Sequence, residues 1–305
     1  MTAGTFALAQ LLRAVPRERI TRAVGRLCDL ELPSGISRLA VGAFSSAYGV
    51  DTSAAAPQAG PYPSFDAFFT RSLREGARTW PDGEDVLVSP ADGRLDALGR
   101  VDGTEMVVKG KPYDAAALLG SERAADRYRG GAFAVVYLSP RDYHRVHAPA
   151  AGRLVDIRSL PGELFPVNSV SERHIPRFLS RNRRVAIEVE TTGWGMVTVV
   201  MVAAMIVGRI TVRGLDDRDV ALGEHRLEAP ISVRPEDDIG VFHLGSTAVV
   251  FVEAGVMPAD GMHRPLGPVR VGDVLVGRQG ELGRQGELDP QSEARDRVGG
   301  ADEHG

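Results

Sequence analysis

The second part of the chain consists of short apolar runs separated by Gly, Pro and Asp, and this pattern restricts the fold more than any other feature. From Val86 onward the runs include GAFAVVYL, RRVAIEVE, MVTVVMVAAMIVG and STAVVFVEAG. β-Branched residues dominate them, and most have the length of a strand. The longest, residues 196–208, is too short to span a bilayer as a helix. We therefore predict a β-rich domain, in which TTGWG at 191–195 connects two strands of a hairpin.

The first 50 residues have helical periodicity instead. Apolar side chains recur at helical spacing on both sides of Pro16, at Leu8, Leu11, Leu12, Val15, Ile20, Val24 and Leu27. Arginines lie on the other faces, at Arg19, Arg22 and Arg26. Such helices either lie in the headgroup region of an anionic bilayer or pack on the protein with their arginines solvated, and the pattern alone favours neither.

The predicted fold class is α+β, with N-terminal amphipathic helices followed by a β-rich catalytic domain. Residues 1–63 form the helical region and a Pro- and Ala-rich linker, and residues 64–278 form the β-rich domain. This domain begins with a short helix that docks Phe65, Phe68 and Phe69 onto the core. Residues 279–305 contain almost nothing apolar, and we predict that they are disordered.

Composition excludes several classes of function. The net charge of −4 gives no general attraction to nucleic acid. Cys28 is the only cysteine, so the chain can form neither an internal disulfide nor a multi-cysteine zinc site. Lys109 and Lys111 are the only lysines, which leaves two positions for a Schiff base to a pyridoxal cofactor.

Three short motifs carry the candidate chemistry, namely SPADG with Asp92, SPRDYHRVHAP with His144 and His147, and LGST with Ser246. Each has an ordinary explanation as a turn or a structural histidine. A metal bound by the two histidines is not predicted, because the flanking prolines leave little room for a helix and no third ligand is evident. Together, however, the motifs supply the carboxylate, imidazole and hydroxyl that activate a serine.

An activated Ser246 has two uses. One is a serine hydrolase, although Gly-Ser-Thr-Ala lacks the Gly-x-Ser-x-Gly turn that exposes such a nucleophile. The other is attack on the carbonyl of Gly245, since glycine tolerates the strained backbone and close approach that this requires. The amide would become an ester, elimination would open the ester, and residue 246 would become a pyruvoyl group. A third interpretation is a non-enzymatic membrane-binding β module.

From FFTRSLREG at 68–76 to VGDVLVG at 271–277 the chain resembles the phosphatidylserine decarboxylase family. The resemblance rests on SPADG, SPRDYHRVHAP and GVFHLGST, supported by KGKPYDAAALLG, LPGELFPVN and VAAMIVGRI. Two stretches depart from the family's usual sequence: Arg234-Pro235 stands where Lys-Gly is usual, and NRRV at 182–185 replaces Asn-Glu-Arg-Val.

The resemblance implies roles for individual residues. Asp92, His147 and Ser246 would form the self-processing triad, with His147 as general base, and His144 would contact the substrate and handle the proton of decarboxylation. Cleavage between Gly245 and Ser246 would give a β chain of residues 1–245 and an α chain of residues 246–305. We expect the two chains to stay together as a heterodimer, because the unbroken apolarity of the strand at 247–253 predicts that it is central to the core. Phe165 and Asn168 are further candidates for substrate binding.

The resemblance also implies a function. The chain would convert phosphatidylserine to phosphatidylethanolamine and carbon dioxide, with a covalent pyruvoyl group from Ser246 as its only cofactor and no metal. It would act as a peripheral protein at an anionic membrane surface, on the cytoplasmic face of the cell membrane, and would not bind nucleic acid. Two alternatives remain open: a pyruvoyl decarboxylase of the same fold that acts on another amino acid or serine phospholipid, and a Ser/His/Asp hydrolase.

Overall fold

A computed structural model describes residues 15–81, 85–167, 169–206, 208–256 and 264–277. The predicted positions Leu8, Leu11, Leu12 and Asn168, and the predicted disordered tail at 279–305, lie outside the described residues.

Helices open the described part of the chain, as the periodicity predicts. They are α1 (Arg17–Asp29), α2 (Ser34–Tyr48) and the short α3 (Phe65–Phe69). Gly49 ends α2 in the left-handed conformation, with φ of 66°. The hydroxyl of Ser64 accepts a hydrogen bond from the backbone N–H of Ala67 at 3.1 Å and so caps the N-terminus of α3.

Strands make up most of the remainder. They are β1 (Val86–Val88), β2 (Gly93–Arg100), β3 (Glu105–Val108), β4 (Lys111–Asp114), β5 (Ala132–Tyr137), β6 (Arg145–His147), β7 (Gly152–Leu160), β8 (Arg184–Thr191), β9 (Met196–Val202), β10 (Arg209–Val212), β11 (Gly223–Val233), β12 (Asp238–His243), β13 (Thr247–Val252), β14 (Gly267–Val269) and β15 (Val274–Gly277). Short helices lie between them: α4 (Ala115–Leu119), α5 (Glu122–Arg127), α6 (Ser169–His174), α7 (Phe178–Arg181) and a 3₁₀ turn at Ala254–Val256. The α+β prediction is confirmed.

The largest sheet has eight antiparallel strands in the order β11-β7-β8-β9-β13-β5-β2-β14. Strands β8 and β9 pair directly and are joined at residues 192–195, so the predicted hairpin is confirmed. A three-stranded sheet, β10-β12-β6, carries the residues that precede the candidate cleavage bond. Strands β1 and β15 form a two-stranded sheet, as do β3 and β4.

Strand β13 is buried on both faces, which explains why its sequence is apolar throughout rather than alternating. Ala248, Val250 and Val252 enter one hydrophobic cluster, which also contains Trp194 and Phe242. Val249 and Phe251 point the other way, into a second cluster. Successive side chains of a strand face opposite sides of the sheet, so this one strand supplies both cores.

Helix α1 packs on the protein along one face. Its buried residues are Thr21, Gly25 and Cys28, and the hydroxyl of Thr21 accepts a hydrogen bond from the N–H of Ile206 at 2.9 Å. The Arg17 guanidinium forms an ion pair with Glu163 at 2.5 Å. Among the described residues no helix is both long and apolar enough to cross a membrane.

Candidate active site

The turn between β12 and β13 has an unusual backbone. Leu244 and Gly245 are consecutive residues with positive φ, at 91° and 73°. A bulky side chain disfavours this conformation, and a residue held in such a region costs about 1–3 kcal/mol. The surrounding structure therefore has to hold Leu244 in place, immediately before the bond that the sequence marks for cleavage.

His144 lies directly against this turn. A Cβ added at Gly245 would lie 2.9 Å from His144 Cε1, so only glycine leaves room for the imidazole. The ring is fully buried and stacks on Phe69, with centroids 4.0 Å apart and planes tilted by 12°. The backbone carbonyl of His144 accepts a hydrogen bond from the N–H of Phe242 at 3.0 Å, which fixes this loop beside β12.

The environment of His144 favours the neutral imidazole. Burial, together with the positive charge of Arg71, lowers the pKa of His144 to about 3, against the opposing effect of the Pro140 carbonyl. A neutral ring can accept a proton, whereas an imidazolium cannot.

Ser246 presents a buried hydroxyl with no competing partner. Its Oγ makes no hydrogen bond within the part of the chain that the structure describes. Its carbonyl accepts from the N–H of Leu138 at 2.7 Å, which extends the pairing of β13 with β5 by one residue. A buried hydroxyl normally has a partner, so an unpaired one beside a strained turn is a functional candidate.

His147 lies on β6, with both ring nitrogens engaged. Nε2 is 3.0 Å from the Tyr143 hydroxyl and Nδ1 is 3.1 Å from the Pro235 carbonyl, while Trp80 stacks on the ring. Burial lowers the pKa of His147, although the charges of Asp238 and Asp92 oppose this. Pro235, one of the two residues that depart from the family's usual sequence at 234–235, therefore contacts the predicted base, His147. This contact is not evident from the sequence, in which Pro235 lies well before Ser246.

Asp92 lies in the turn between β1 and β2. One carboxylate oxygen accepts a hydrogen bond from Arg78, and the other accepts from the N–H of Val271 at 2.8 Å. Among the described residues no hydrogen bond joins Asp92 to His147 or His147 to Ser246. The triad therefore stays a prediction, whereas the contact of His144 with Gly245 is observed.

A cavity of about 320 Å³ opens beside Thr247. Its apolar wall includes Val135, Val167, Phe178 and Leu179, and its charged residues are Arg94, Asp96, Lys109, Lys111 and Glu172. Lys109 pairs with Asp96 at 2.8 Å and with Glu172 at 3.4 Å. Both lysines of the chain therefore line this cavity. Thr247, which also lines it, is the residue that follows Ser246.

Phe165 is fully buried in the second hydrophobic cluster. Its backbone N–H donates to Asn182 Oδ1 at 2.9 Å and its carbonyl accepts from Asn182 Nδ2 at 2.8 Å. Contact between Phe165 and a substrate would need movement of this loop, so that role stays a prediction. No group of three or more metal-ligating side chains occurs among the described residues.

Sequence reasoning did not single out Asp66 or His243, which form a buried pair next to the turn. The available signal was the position of His243 inside GVFHLGST, three residues before Ser246. Its partner could not be inferred, because Asp66 is 177 residues away along the chain.

Comparison with known proteins places these features in a family. The sequence model of the family described as phosphatidylserine decarboxylase matches residues 65–277. A phosphatidylserine decarboxylase proenzyme of Anaeromyxobacter sp. (strain K) is 38% identical over 273 residues, which cover 87% of this chain and 96% of the relative. Proteins of the same name from Acinetobacter baylyi and Marinobacter nauticus are each 37% identical, covering 88% and 83% of this chain and 94% and 90% of their own lengths.

Proposed function

Because this chain belongs to the phosphatidylserine decarboxylase family, we propose that it converts phosphatidylserine to phosphatidylethanolamine and carbon dioxide, using a pyruvoyl group made by its own cleavage between Gly245 and Ser246. The observation that carries the proposal is the turn itself. Leu244 and Gly245 are left-handed, His144 lies against Gly245, and the Ser246 hydroxyl is buried without a partner.

Self-cleavage needs only groups of this chain and water. Ser246 Oγ gives its proton to an imidazole and attacks the Gly245 carbonyl carbon, and the C–N bond breaks to leave an ester. Elimination releases Gly245 as a carboxylate and leaves dehydroalanine at position 246. Water then adds, ammonia leaves, and residue 246 carries a ketone next to its carbonyl.

His147 is the proposed base for this step, on the resemblance to the family. Burial lowers the pKa of its ring and so favours the neutral form that can accept a proton, and the charges of Asp238 and Asp92 oppose this shift. The imidazole would have to exchange its bond with the Tyr143 hydroxyl for one with Ser246. The sheet register places His147 opposite Asp238, at the end of β12 away from the cleavage turn, so this exchange would need a rearrangement larger than a side-chain rotation.

The residues at the turn fit a pyruvoyl group. The Leu138 N–H holds the carbonyl of residue 246, and the absence of a Cβ at Gly245 keeps the imidazole of His144 close. Once formed, the group supplies the electron sink that a decarboxylation requires and that no ordinary side chain provides. His144 is the proposed carrier of the proton that the substrate carbon receives when carbon dioxide leaves, and its neutral ring would first have to take up that proton.

The cavity beside Thr247 is the proposed site of the phosphatidyl headgroup. Arg94, Lys109 and Lys111 outnumber the carboxylates of Asp96 and Glu172 by one charge, which favours an anionic phosphate. Phe178 and Leu179 supply apolar surface for the start of the acyl chains.

Turnover of defined substrates tests the proposal. The purified full chain is expected to convert phosphatidylserine in mixed micelles to phosphatidylethanolamine, measured by mass spectrometry together with released carbon dioxide, and to leave free serine unchanged. His144→Gln is expected to lose at least 100-fold in kcat per molecule of cleaved enzyme, because the group proposed to carry the proton is gone.

Three results would overturn this assignment in different ways. Conversion of soluble amino acids but not of lipid would favour a pyruvoyl decarboxylase with another substrate. An uncut chain that reacts with a serine-directed phosphonate probe would favour the hydrolase. A His144→Gln enzyme with wild-type kcat would remove His144 from the reaction.

The exposed face of α1 and α2 supports membrane association of this enzyme. Four large apolar side chains there are between 53% and 73% exposed, namely Leu27, Leu30, Ile36 and Leu39. Exposed arginines of the same helices, Arg19, Arg22, Arg26 and Arg38, pair with no carboxylate of the described residues. An apolar face with free cations matches the interface of an anionic bilayer. We propose a peripheral position with this face in the headgroup region; the cytoplasmic side stays a prediction.

Charge introduced on this face is expected to release the protein from vesicles. Ile36→Asp with Leu39→Asp should lower the bound fraction on anionic vesicles at least tenfold in a flotation assay, because each lost leucine-sized contact is worth about 1.5–3 kcal/mol. The matched control is Leu266→Asp, at a side chain that is 61% exposed and lies on no helix. Equal flotation of all three proteins would contradict the assignment. Point substitutions are preferable to removing residues 1–50, because α1 also packs on the cleavage turn.

A further inference from the structure

Helix α3 contacts three residues at or beside the cleavage turn. Asp66 and Phe69 are three positions apart and so lie on the same side of this short helix. The Asp66 carboxylate oxygens are 2.8 and 3.0 Å from Nδ1 of His243. Phe69 shares an apolar cluster with Leu244 and stacks on His144. One helix thus contacts the residue before the strained position, the strained residue itself and the imidazole against Gly245.

The polar half of this contact is buried and charged. Burial would raise the pKa of Asp66, but the hydrogen bond with His243 and the charges of His243, Arg209 and Arg218 outweigh burial and lower it. Asp66 is therefore a carboxylate and accepts from the Nδ1–H of His243. Arg209 lies 3.3 Å from Asp66 and pairs directly with His243 in the sheet register.

The same network reaches α1. Arg209 donates to Asp29, the last residue of α1, at 2.7 Å, and Arg218 donates to Asp29 at 2.6 Å. Cys28, one residue earlier, belongs to the cluster that holds Leu244 and Phe69. Both the polar and the apolar supports of the turn therefore include residues of α1, which precedes the β-rich domain.

We propose that Asp66, His243 and Phe69 are positioning residues for self-cleavage, which hold Leu244 in its left-handed conformation so that the Gly245 carbonyl faces the Ser246 hydroxyl. This inference rests on the proposed cleavage at Gly245-Ser246. None of the three residues takes part in a bond change. Without them Leu244 relaxes to an ordinary φ, and the carbonyl of the next residue turns away from its nucleophile.

Substitutions at His243 separate positioning from packing. His243→Leu removes the donor at similar volume and is expected to slow cleavage at least tenfold, as followed by denaturing gel and intact mass from the moment of synthesis. His243→Asn places an amide N–H where Nδ1 lies and is expected to cleave within threefold of the wild-type rate. Asp66→Asn and Phe69→Leu are expected to slow cleavage as much as His243→Leu does. Asp66→Asn keeps the shape of the side chain, so it tests the polar contact even if the His243→Leu variant does not fold.

The matched control is Glu188→Gln, which breaks another half-buried ion pair, with Arg158 at 2.6 Å on the large sheet. It is expected to cleave at the wild-type rate. Thermal unfolding of each variant in a Ser246→Ala background measures the accompanying loss of stability.

The outcomes distinguish this inference from the function on which it rests. A wild-type chain that stays whole, or is cut elsewhere, refutes the proposed cleavage. Normal cleavage of wild type together with equally fast His243→Leu and Asp66→Asn refutes the positioning role alone. The positioning role is also refuted if His243→Asn cleaves as slowly as His243→Leu, or if Glu188→Gln slows cleavage in proportion to its lost stability.

Discussion

Ser246→Ala is expected to remain a single chain of 305 residues and to release no carbon dioxide from phosphatidylserine. Alanine lacks the oxygen that attacks the Gly245 carbonyl, and no other atom of the residue can become the ketone. Intact mass under denaturing conditions measures this directly. The wild-type protein should give chains of 245 and 60 residues, with the shorter one blocked to amine-reactive labelling.

Thr247→Ala is the matched control for this experiment. Thr247 follows Ser246 directly, is buried, and also has a hydroxyl without a partner among the described residues. Its removal should leave cleavage intact, because Oγ1 of residue 247 is not the nucleophile. A wild-type chain that turns substrate over without being cut would contradict the pyruvoyl assignment and return Ser246 to the hydrolase interpretation.

Gly245→Ala is expected to slow self-cleavage at least 100-fold while the chain still folds. Its Cβ would stand 2.9 Å from His144 Cε1, and alanine disfavours φ of 73°. The imidazole or the turn must move, and a displacement of about 1 Å from reactive geometry costs on the order of 100-fold in rate. The half-time of the intact precursor after synthesis measures the effect.

Gly49→Ala is the matched control for placing alanine at a positive φ without a close contact to its Cβ. Gly49 has a similar φ of 66°, but a Cβ there meets nothing within 4 Å. This variant should cleave at the wild-type rate. Rapid cleavage of Gly245→Ala would show that the space between Gly245 and His144 is not needed for the reaction.

Local patterns predicted the elements of this fold well. Apolar, β-branched runs became strands, TTGWG became the β8–β9 connection, and the short helix that begins at Phe65 forms where the sequence predicts it. The position of β13 between β5 and β9 was not predictable in detail, because strand order depends on pairing between segments more than 40 residues apart. Its central burial was predictable, since an unbroken apolar strand needs cover on both faces.

The candidate site, like the fold, was predictable from the sequence only in part. The motifs around Asp92, His144, His147 and Ser246 are visible in the sequence, but their contacts are not. Nothing local indicates that His147 meets the carbonyl of Pro235, or that His243 meets Asp66. These contacts join strands and helices that the sequence separates widely, and they decide which groups are free to react.

The place of the cleavage bond, directly before β13, also sets when activation can occur. We expect the strained turn to form only once β12 is paired with β6, β13 lies between β5 and β9, and α3 is docked, because these elements hold the turn in the folded chain. Cleavage there would act as a check on folding, since a misfolded chain could not make its own reactive group. Unfolding of the cleaved protein would also be irreversible in practice, because both neighbours of β13 belong to the other product chain. After unfolding at high dilution, the two chains of the mature protein would have to find each other again, whereas the uncleaved precursor refolds as one chain.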